Sequence, residues 1–438
     1  MSTGAGTGDR PNVVLVTYDS LRADHCSFMG YDRETTPNLD AMADDGLVFE
    51  NAVASGVPTI ASMTAVMTGR HSLTSPEVGR TDEQRRQVTA QPKLAEALSE
   101  AGYATGALSP NPPASSYFGF DGGFDWFEDF LAEDRGVVER AWRRVFESSM
   151  EAGGPATYLR LARNVLTRSE VLRPWDDVYE HLLDWRERVE EPYFLWVLLL
   201  DPHHPWMPPS DGQRWSTRAD KYRAFAQYFE LFESGFELDF SARQRDRLVD
   251  LYDDAIRHGD RFLERLRADL TARGDDPVFV IHADHGEEFG EHGRYGHEPY
   301  LTEELIHVPL VVHGLDRTGR VERPVGLRSI APTIADLAGA DHAFAAPSLF
   351  ESRPWVTSKV FVGDERRAVR TDCGKYVQDD RRQALYRLNE DPHEQDNRAA
   401  APEAAAAFED VLAASVASER DQRGLLAAGD RLLQEGRL

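Results

Sequence analysis

The sequence predicts an α/β fold in which a mostly parallel central sheet is flanked by helices and followed by a smaller C-terminal subdomain. Apolar, β-branched runs alternate with segments of helical periodicity, the pattern of parallel strands joined by helices. Polar residues capable of chemistry stand directly after several of those runs. At 438 residues the chain can bury a large core, as one α/β domain with a C-terminal piece or as two separate domains.

Val13-Val14-Leu15-Val16-Thr17 is a continuous apolar run of the kind buried on both faces of a parallel sheet, and it ends at Asp19. Similar runs occupy Tyr193 to Leu200, Val278 to His282 and Leu310 to His313. Apolar spacing predicts helices over Pro92 to Gly102, Trp175 to Val189, Ala242 to Arg273 and Ser329 to Gly339. We place a catalytic domain at 10–345 and the C-terminal subdomain at 346–438, with the Ala-rich Ala399 to Ala407 starting a terminal helix. Phe118 to Arg173, rich in aromatics and charges, is either an insertion or lid over the site or a solvated helical excursion.

Asp plus Glu outnumber Lys plus Arg by 75 to 49, a net charge of -26 that argues against a nucleic-acid or anionic-lipid partner. Nearly every basic residue is Arg, with Lys only at 93, 221, 359 and 375. That balance resembles proteins adapted to high intracellular salt, and it also fits an acidic protein from a GC-rich mesophile. Cys26 and Cys373 are too few for a disulfide framework. Neither a signal sequence nor a run of about 18 apolar residues is visible, so a soluble, cytoplasmic protein without a membrane anchor is expected. The sequence does not indicate an oligomeric state.

In open parallel sheets ligands bind beyond the carboxyl ends of the strands, which directs attention to Asp19, to Asp201 with His203, and to Asp284 with His285. A lone Asp after a strand commonly caps a turn. Adjacent Asp284 and His285, on a loop with Gly286, make a mixed oxygen and nitrogen donor pair suited to manganese, zinc or a similar cation. Glu287, Glu288, Glu291 and His292 read as a solvated acidic loop. Ser55 to Arg70 reads as a loop entering a short helix that closes at Gly69. Thr59 at its start is an N-cap or a nucleophile whose charge the helix N-terminus stabilises.

These segments resemble the sulfatases of the alkaline phosphatase superfamily along almost the whole chain. PNVVLVTYDSLRAD (Pro11 to Asp24) is similar to the family's opening strand and first metal ligand, and Thr36-Pro37-Asn38-Leu39-Asp40 to the segment that follows. DHGEEFGEHGRYGH (Asp284 to His297), with Glu303 to Pro309 after it, resembles the second metal motif. RSIAPTIADLAG (Arg328 to Gly339) and LYRLNEDPHEQDNRAAAPE (Leu385 to Glu403) resemble the late helix and the C-terminal signature. Together with the composition, the resemblance suggests a haloarchaeal member.

The resemblance implies a hydrolase of a small-molecule or glycan sulfate or phosphate ester, with one divalent cation held by Asp19, Thr59, Asp284 and His285. Thr59 falls at the position of the formylglycine precursor in sulfatases. Maturation there needs Cys or Ser followed by Pro and Arg, and this chain has Thr59, Ala61 and Met63. Tyr18 before Asp19, and His285 where calcium-type members carry Asn, shift the expected metal from calcium or magnesium toward manganese or zinc. Metal, Thr, Asp and His together also look like the superfamily's phosphodiesterases and phosphotransferases. A catalytically silent binder of anions or glycans is the alternative from another class.

Asp201 to Trp206 resembles the family's histidine segment, which makes His203, and less so His204, a leaving-group or ester contact. His297 falls where the family places a Lys or His near the sulfate. Arg22 and Arg70 are supporting candidates, Arg22 to hold Asp19 or a neighbouring carboxylate in place and Arg70 to brace the nucleophile helix. A second metal on His203, His297 and a carboxylate is conceivable, and one metal is expected.

Overall fold

The computed structural model describes residues 10–72, 81–130, 174–210, 212–234, 238–351, 353–362, 364–379, 382–399 and 405–417. Its centre is an eight-stranded sheet made of β1 (Val13–Tyr18), β2 (Leu47–Phe49), β3 (Ala104–Leu108), β4 (Trp126–Glu128), β5 (Tyr193–Leu199), β6 (Val278–Ala283), β7 (Leu310–His313) and β8 (Gly319–Val321). Their spatial order is β8-β2-β7-β6-β1-β5-β3-β4. Only β7 runs against the others. Every residue of β1, β5 and β6 is buried, which is why their sequences are continuously apolar rather than alternating.

Flanking the sheet are α1 (Pro37–Asp44), α2 (Thr59–Thr68), α3 (Leu94–Glu100), α4 (Trp175–Arg186), α5 (Ala242–Ala272) and α6 (Ile330–Ala338). A capping box of Ser241 and Gln244 starts the 31-residue α5. From its buried face Asp260 accepts hydrogen bonds from the Asn38 and Leu39 backbone at the start of α1, and Asp254 accepts from the backbone of Arg214 and Ser216. Of these N–H groups, those of Leu39 and Ser216 belong to buried residues, for which the carboxylates supply the partner that burial demands.

A separate antiparallel sheet of β9 (Val356–Val362), β10 (Asp364–Arg370), β11 (Gly374–Gln378) and β12 (Gln383–Arg387) forms the C-terminal subdomain, with its own small apolar cluster around Val369, Tyr376 and Leu412. Residues 405–417 are helical, and 400–404, within the stretch read as the start of a terminal helix, lie outside the described residues. Of the stretch singled out as an insertion or lid, residues 118–130 include the edge strand β4, and 131–173 lie outside the described residues. Among the described residues no helix is long and apolar enough to cross a membrane.

Candidate active site and metal centre

Strand register builds the site. Tyr18 at the end of β1 pairs with Ala283 of β6 on one side and Leu199 of β5 on the other. The next residues along these parallel strands, Asp19, Asp284 and the segment beginning at Leu200, therefore emerge together at one sheet edge. Asp19, Asp284 and His285 are all fully buried, and one ligand atom of each lies within 4.8 Å of the others.

The donors around these three groups are arranged for a cation. Asp284 Oδ1 accepts from the Ser20 and His285 backbone N–H groups at 3.1 and 2.8 Å, while Oδ2 is buried with no partner. Asp19 accepts from the Ser20 hydroxyl at 2.9 Å and from the Asn111 amide. His285 Nδ1 lies 2.9 Å from the Gly286 carbonyl, which places its hydrogen there and turns the Nε2 lone pair toward Asp284 and Asp19, 3.5 and 3.8 Å away. A lone pair aimed at two buried carboxylates is repulsive unless a proton or a metal ion lies between them. The orphaned Asp284 oxygen and the mixed oxygen and nitrogen donor set thus fit a divalent cation.

Electrostatics agree with the geometry. Burial pushes the Asp284 carboxyl up to about 7, with His285 opposing the rise and Asp19 adding to it. Burial acts the same way on Asp19, but His203, His285 and His297 outweigh it and hold that carboxyl below its usual value. His285 is raised, because the two carboxylates overcome its desolvation.

Thr59 is the first residue of α2, all ten of whose residues are buried, and its hydroxyl lies 3.1 Å from His285 Nε2. The Ser62 hydroxyl donates to the Asp284 carbonyl at 2.6 Å and ties the helix to the loop of Asp284. Gly69 closes α2 in the left-handed conformation at φ 66°. Arg70 therefore sits at the opposite end of the helix from Thr59. Arg22 bonds Asp24 and Glu291 and the Glu287 carbonyl at 3.0 Å, so it braces the loop after β6 rather than Asp19 itself.

His203, His204 and His297 gather beside this centre, with ring centroids 4.3 to 4.9 Å apart, and His297 lies 4.6 Å from the His285 ring. Burial drives His203 down to about 3. Asp201, from the same segment, faces away from the centre, accepting from the Trp175 backbone and lying 3.3 Å from His258.

The solvated acidic loop expected after His285 is not found. Glu287 and Glu288 are fully buried, Glu288 pairs with Arg294 at 2.9 Å, Glu291 with Arg22 at 2.6 Å, and His292 with Glu304 at 2.9 Å. Desolvation works against the charge on Glu287, yet His297 and His204, 3.3 and 3.2 Å away, hold its carboxyl well below the usual range. A run of charges normally marks a wet surface, and here it is admitted to the interior by partners within the same loop, Arg294, His297 and Glu304, together with Arg22 and His204 from segments remote in sequence. Asn111 was also missed: it follows β3, whose small Ala and Gly residues give little strand signal.

A model of the sulfatase family matches residues 11–340. An arylsulfatase of Clostridium perfringens is 25% identical over 374 residues, covering 75% of this chain and 75% of that protein. The phosphonate monoester hydrolase of Agrobacterium radiobacter superposes with a TM-score of 0.65 at 21% identity, over 94% of this chain and 96% of that one. A protein solved in complex with its substrate D-glucosamine-2-N,6-O-disulfate superposes with a TM-score of 0.70 at 16% identity, over 94% and 98%. With its matched region spanning the sheet and the whole site, the chain belongs to the sulfatase family of the alkaline phosphatase superfamily, enzymes that hydrolyse sulfuric or phosphoric esters.

Proposed function

We propose that the protein hydrolyses a small-molecule or glycan sulfate or phosphate ester by in-line attack of Thr59, through a covalent intermediate. The observation that carries this reading is the Thr59 hydroxyl at the N-terminus of a buried helix, 3.1 Å from His285 Nε2 and beside two buried carboxylates. Asp19, Asp284, His285 and Thr59 would hold one divalent cation, with manganese or zinc favoured over calcium or magnesium by the imidazole donor. When bound, such a cation neutralises nonbridging ester oxygens and lowers the cost of a threonine alkoxide.

The Thr59 oxygen forms a bond to sulfur or phosphorus as the bridging ester oxygen departs, and the Thr59 hydroxyl proton passes to solvent water. The helix N-terminus faces the charge that develops on the nonbridging oxygens. His203 or His297 donates a proton to the departing oxygen, which leaves as the alcohol, and the same imidazole takes a proton back from the water that attacks in the next step. Water then attacks the threonine ester, releasing the inorganic anion and restoring the hydroxyl; an acceptor alcohol in place of water would make the enzyme a phosphotransferase.

Thr59 itself favours phosphorus as the second, narrower reading. A formylglycine hydrate can expel sulfate by elimination, a route closed to a simple threonine ester, whereas threonine esters of phosphate are opened by water. The test is steady-state turnover of matched aryl sulfate, phosphate monoester, phosphate diester and phosphonate substrates with manganese or zinc at high salt. Thr59→Ala is expected to lose on the order of 10³-fold or more in kcat while keeping its metal. Turnover equal to wild type would make Thr59 only the first residue of a helix, and absence of turnover in wild type on every substrate would favour a silent binding protein.

A further inference from the structure

We propose that Asp201 and His258 are positioning residues that hold the loop beyond β5 so that the His203 ring faces the departing oxygen, a role that rests on the ester hydrolysis proposed above. The loop is short and tied to itself. The His203 N–H donates to the Leu200 carbonyl at 3.0 Å, and Trp206 Nε1 donates to the Pro202 carbonyl at 2.9 Å. Pro202, with its ring-locked φ, is the single residue between Asp201 and His203, so a shift of Asp201 carries His203 with it. The Asp201 side chain, 2% exposed, points the other way, toward α4 and α5. Its Oδ2 accepts the N–H of Trp175, the first residue of α4, at 3.2 Å, and its Oδ1 lies 3.3 Å from Nε2 of His258 in α5. Gly259, next to His258, lets the helix come this close: a Cβ there would stand 3.3 Å from the Asp201 Cβ and 3.3 Å from the Tyr18 ring. Tyr18 immediately precedes Asp19, so the metal donors and the His203 loop are braced against the same stretch of α5.

His258 supplies the independent observation. Its side chain is 5% exposed, its ring stacks on Trp175 with centroids 5.6 Å apart, and Trp175 Nε1 donates to its backbone carbonyl at 2.9 Å. Neither ring nitrogen makes a hydrogen bond. An imidazole buried in that way costs stability, and where packing is all that is asked an apolar side chain of similar volume does better. What the imidazole adds is a nitrogen facing a buried carboxylate whose other oxygen is held by Trp175. Asp176 Oδ1, 3.6 Å from the same nitrogen, brings a second carboxylate to it from the start of α4. A polar contact kept in the interior at a cost serves to fix a geometry. Here that geometry is the placement of the His203 ring, and a displacement of about 1 Å at a reacting group lowers a rate on the order of 10²-fold.

Leaving-group dependence tests the role. With the full-length protein, turnover is compared for two esters of whichever acid wild type hydrolyses, one releasing 4-nitrophenol and one releasing an unactivated alkyl alcohol. An alkoxide needs a proton in order to depart and a nitrophenolate scarcely does, so misplacing His203 penalises the alkyl ester selectively. Asp201→Ala and His258→Leu are each expected to lower kcat on the alkyl ester about 10- to 100-fold with KM little changed, and on the nitrophenyl ester less than about 3-fold. In a His203→Ala background either substitution should add less than about 2-fold, because its effect is exerted through that ring. Equal losses on both esters, or an undiminished further loss in the His203→Ala background, would overturn the proposal. An active wild type whose His203→Ala variant is indifferent to the leaving group would overturn it while leaving the ester hydrolysis standing. Wild type inactive on every ester would remove both.

Discussion

Glu394 shares a buried cluster with Glu303, Lys375 and Arg370, at the seam between the C-terminal subdomain and the loop after β6. Lys375 Nζ reaches Glu394 at 2.7 Å and Glu303 at 3.0 Å, Arg370 pairs with Glu303 at 3.0 Å, and Glu394 also accepts the Glu303 backbone N–H at 2.8 Å. Burial pushes the Glu394 carboxyl up to about 7 against the pull of Lys375, while Arg370 and Lys375 overcome burial at Glu303 and bring it down to about 2. A raised carboxyl means that the folded protein keeps a proton the unfolded chain releases. Its contribution to stability is full below the unfolded pKa of about 4.5 and is lost as pH rises through about 7. Glu394→Gln should remove that slope, on the order of 3 kcal/mol between about pH 4.5 and 7, in urea unfolding followed against pH. A slope unchanged by the substitution would mean that Glu394 is ionised throughout. Glu303 and Glu394 both lie in segments that resemble family motifs, but nothing in either segment says that they meet. Asp19, Thr59, Asp284 and His285 were easier to single out, because each follows an apolar run or opens a helix. Asn111 and Glu287 were not, since their setting depends on which remote segments cover them.

Elements were legible in proportion to how far local sequence decides them. β1, β5, β6 and β7 announce themselves because strands buried on both faces are apolar throughout. β3 does not: its Gly106 lies so close to the Trp185 ring of α4 that an added Cβ would come within 2.5 Å, so packing rather than strand propensity selects that residue. β2, with three residues, and the charged β10 are likewise fixed by their neighbours in space. The loop after β6 makes the same demand at Gly286. A Cβ there would stand 1.9 Å from the Glu304 carbonyl oxygen, while the Gly286 N–H donates to the Leu305 carbonyl at 2.8 Å. Since backbone and not a movable side chain opposes it, Gly286→Ala must displace the loop that carries Asp284 and His285. The expected cost is about 2 kcal/mol or more in chemical denaturation, with a parallel loss of metal affinity measured by titration. Wild-type stability and metal binding in that variant would show that the loop can yield.

At the scale of the whole molecule the controlling quantity is charge. Seventy-five acidic residues face 49 basic ones, and much of the basic complement is engaged in local pairs such as Arg186 with Asp275 and Arg22 with Asp24, so the excess negative charge has few partners left to offset it. Like charges crowded on a folded surface repel one another more than they do in the expanded chain, and mobile cations relieve that repulsion. The screening length falls from about 10 Å at 0.1 M salt to about 3 Å at 1 M, so most of the relief arrives below about 0.5 M. The thermal midpoint should therefore climb by at least a few degrees as potassium chloride is raised from about 0.05 to about 0.5 M, and then flatten. Strengthened apolar burial would instead give a rise that continues into the molar range and is steeper in sulfate than in chloride. A midpoint flat from the lowest salt upward would mean that the acidic excess is already balanced by local pairs, and the composition would then be no sign of adaptation to salt.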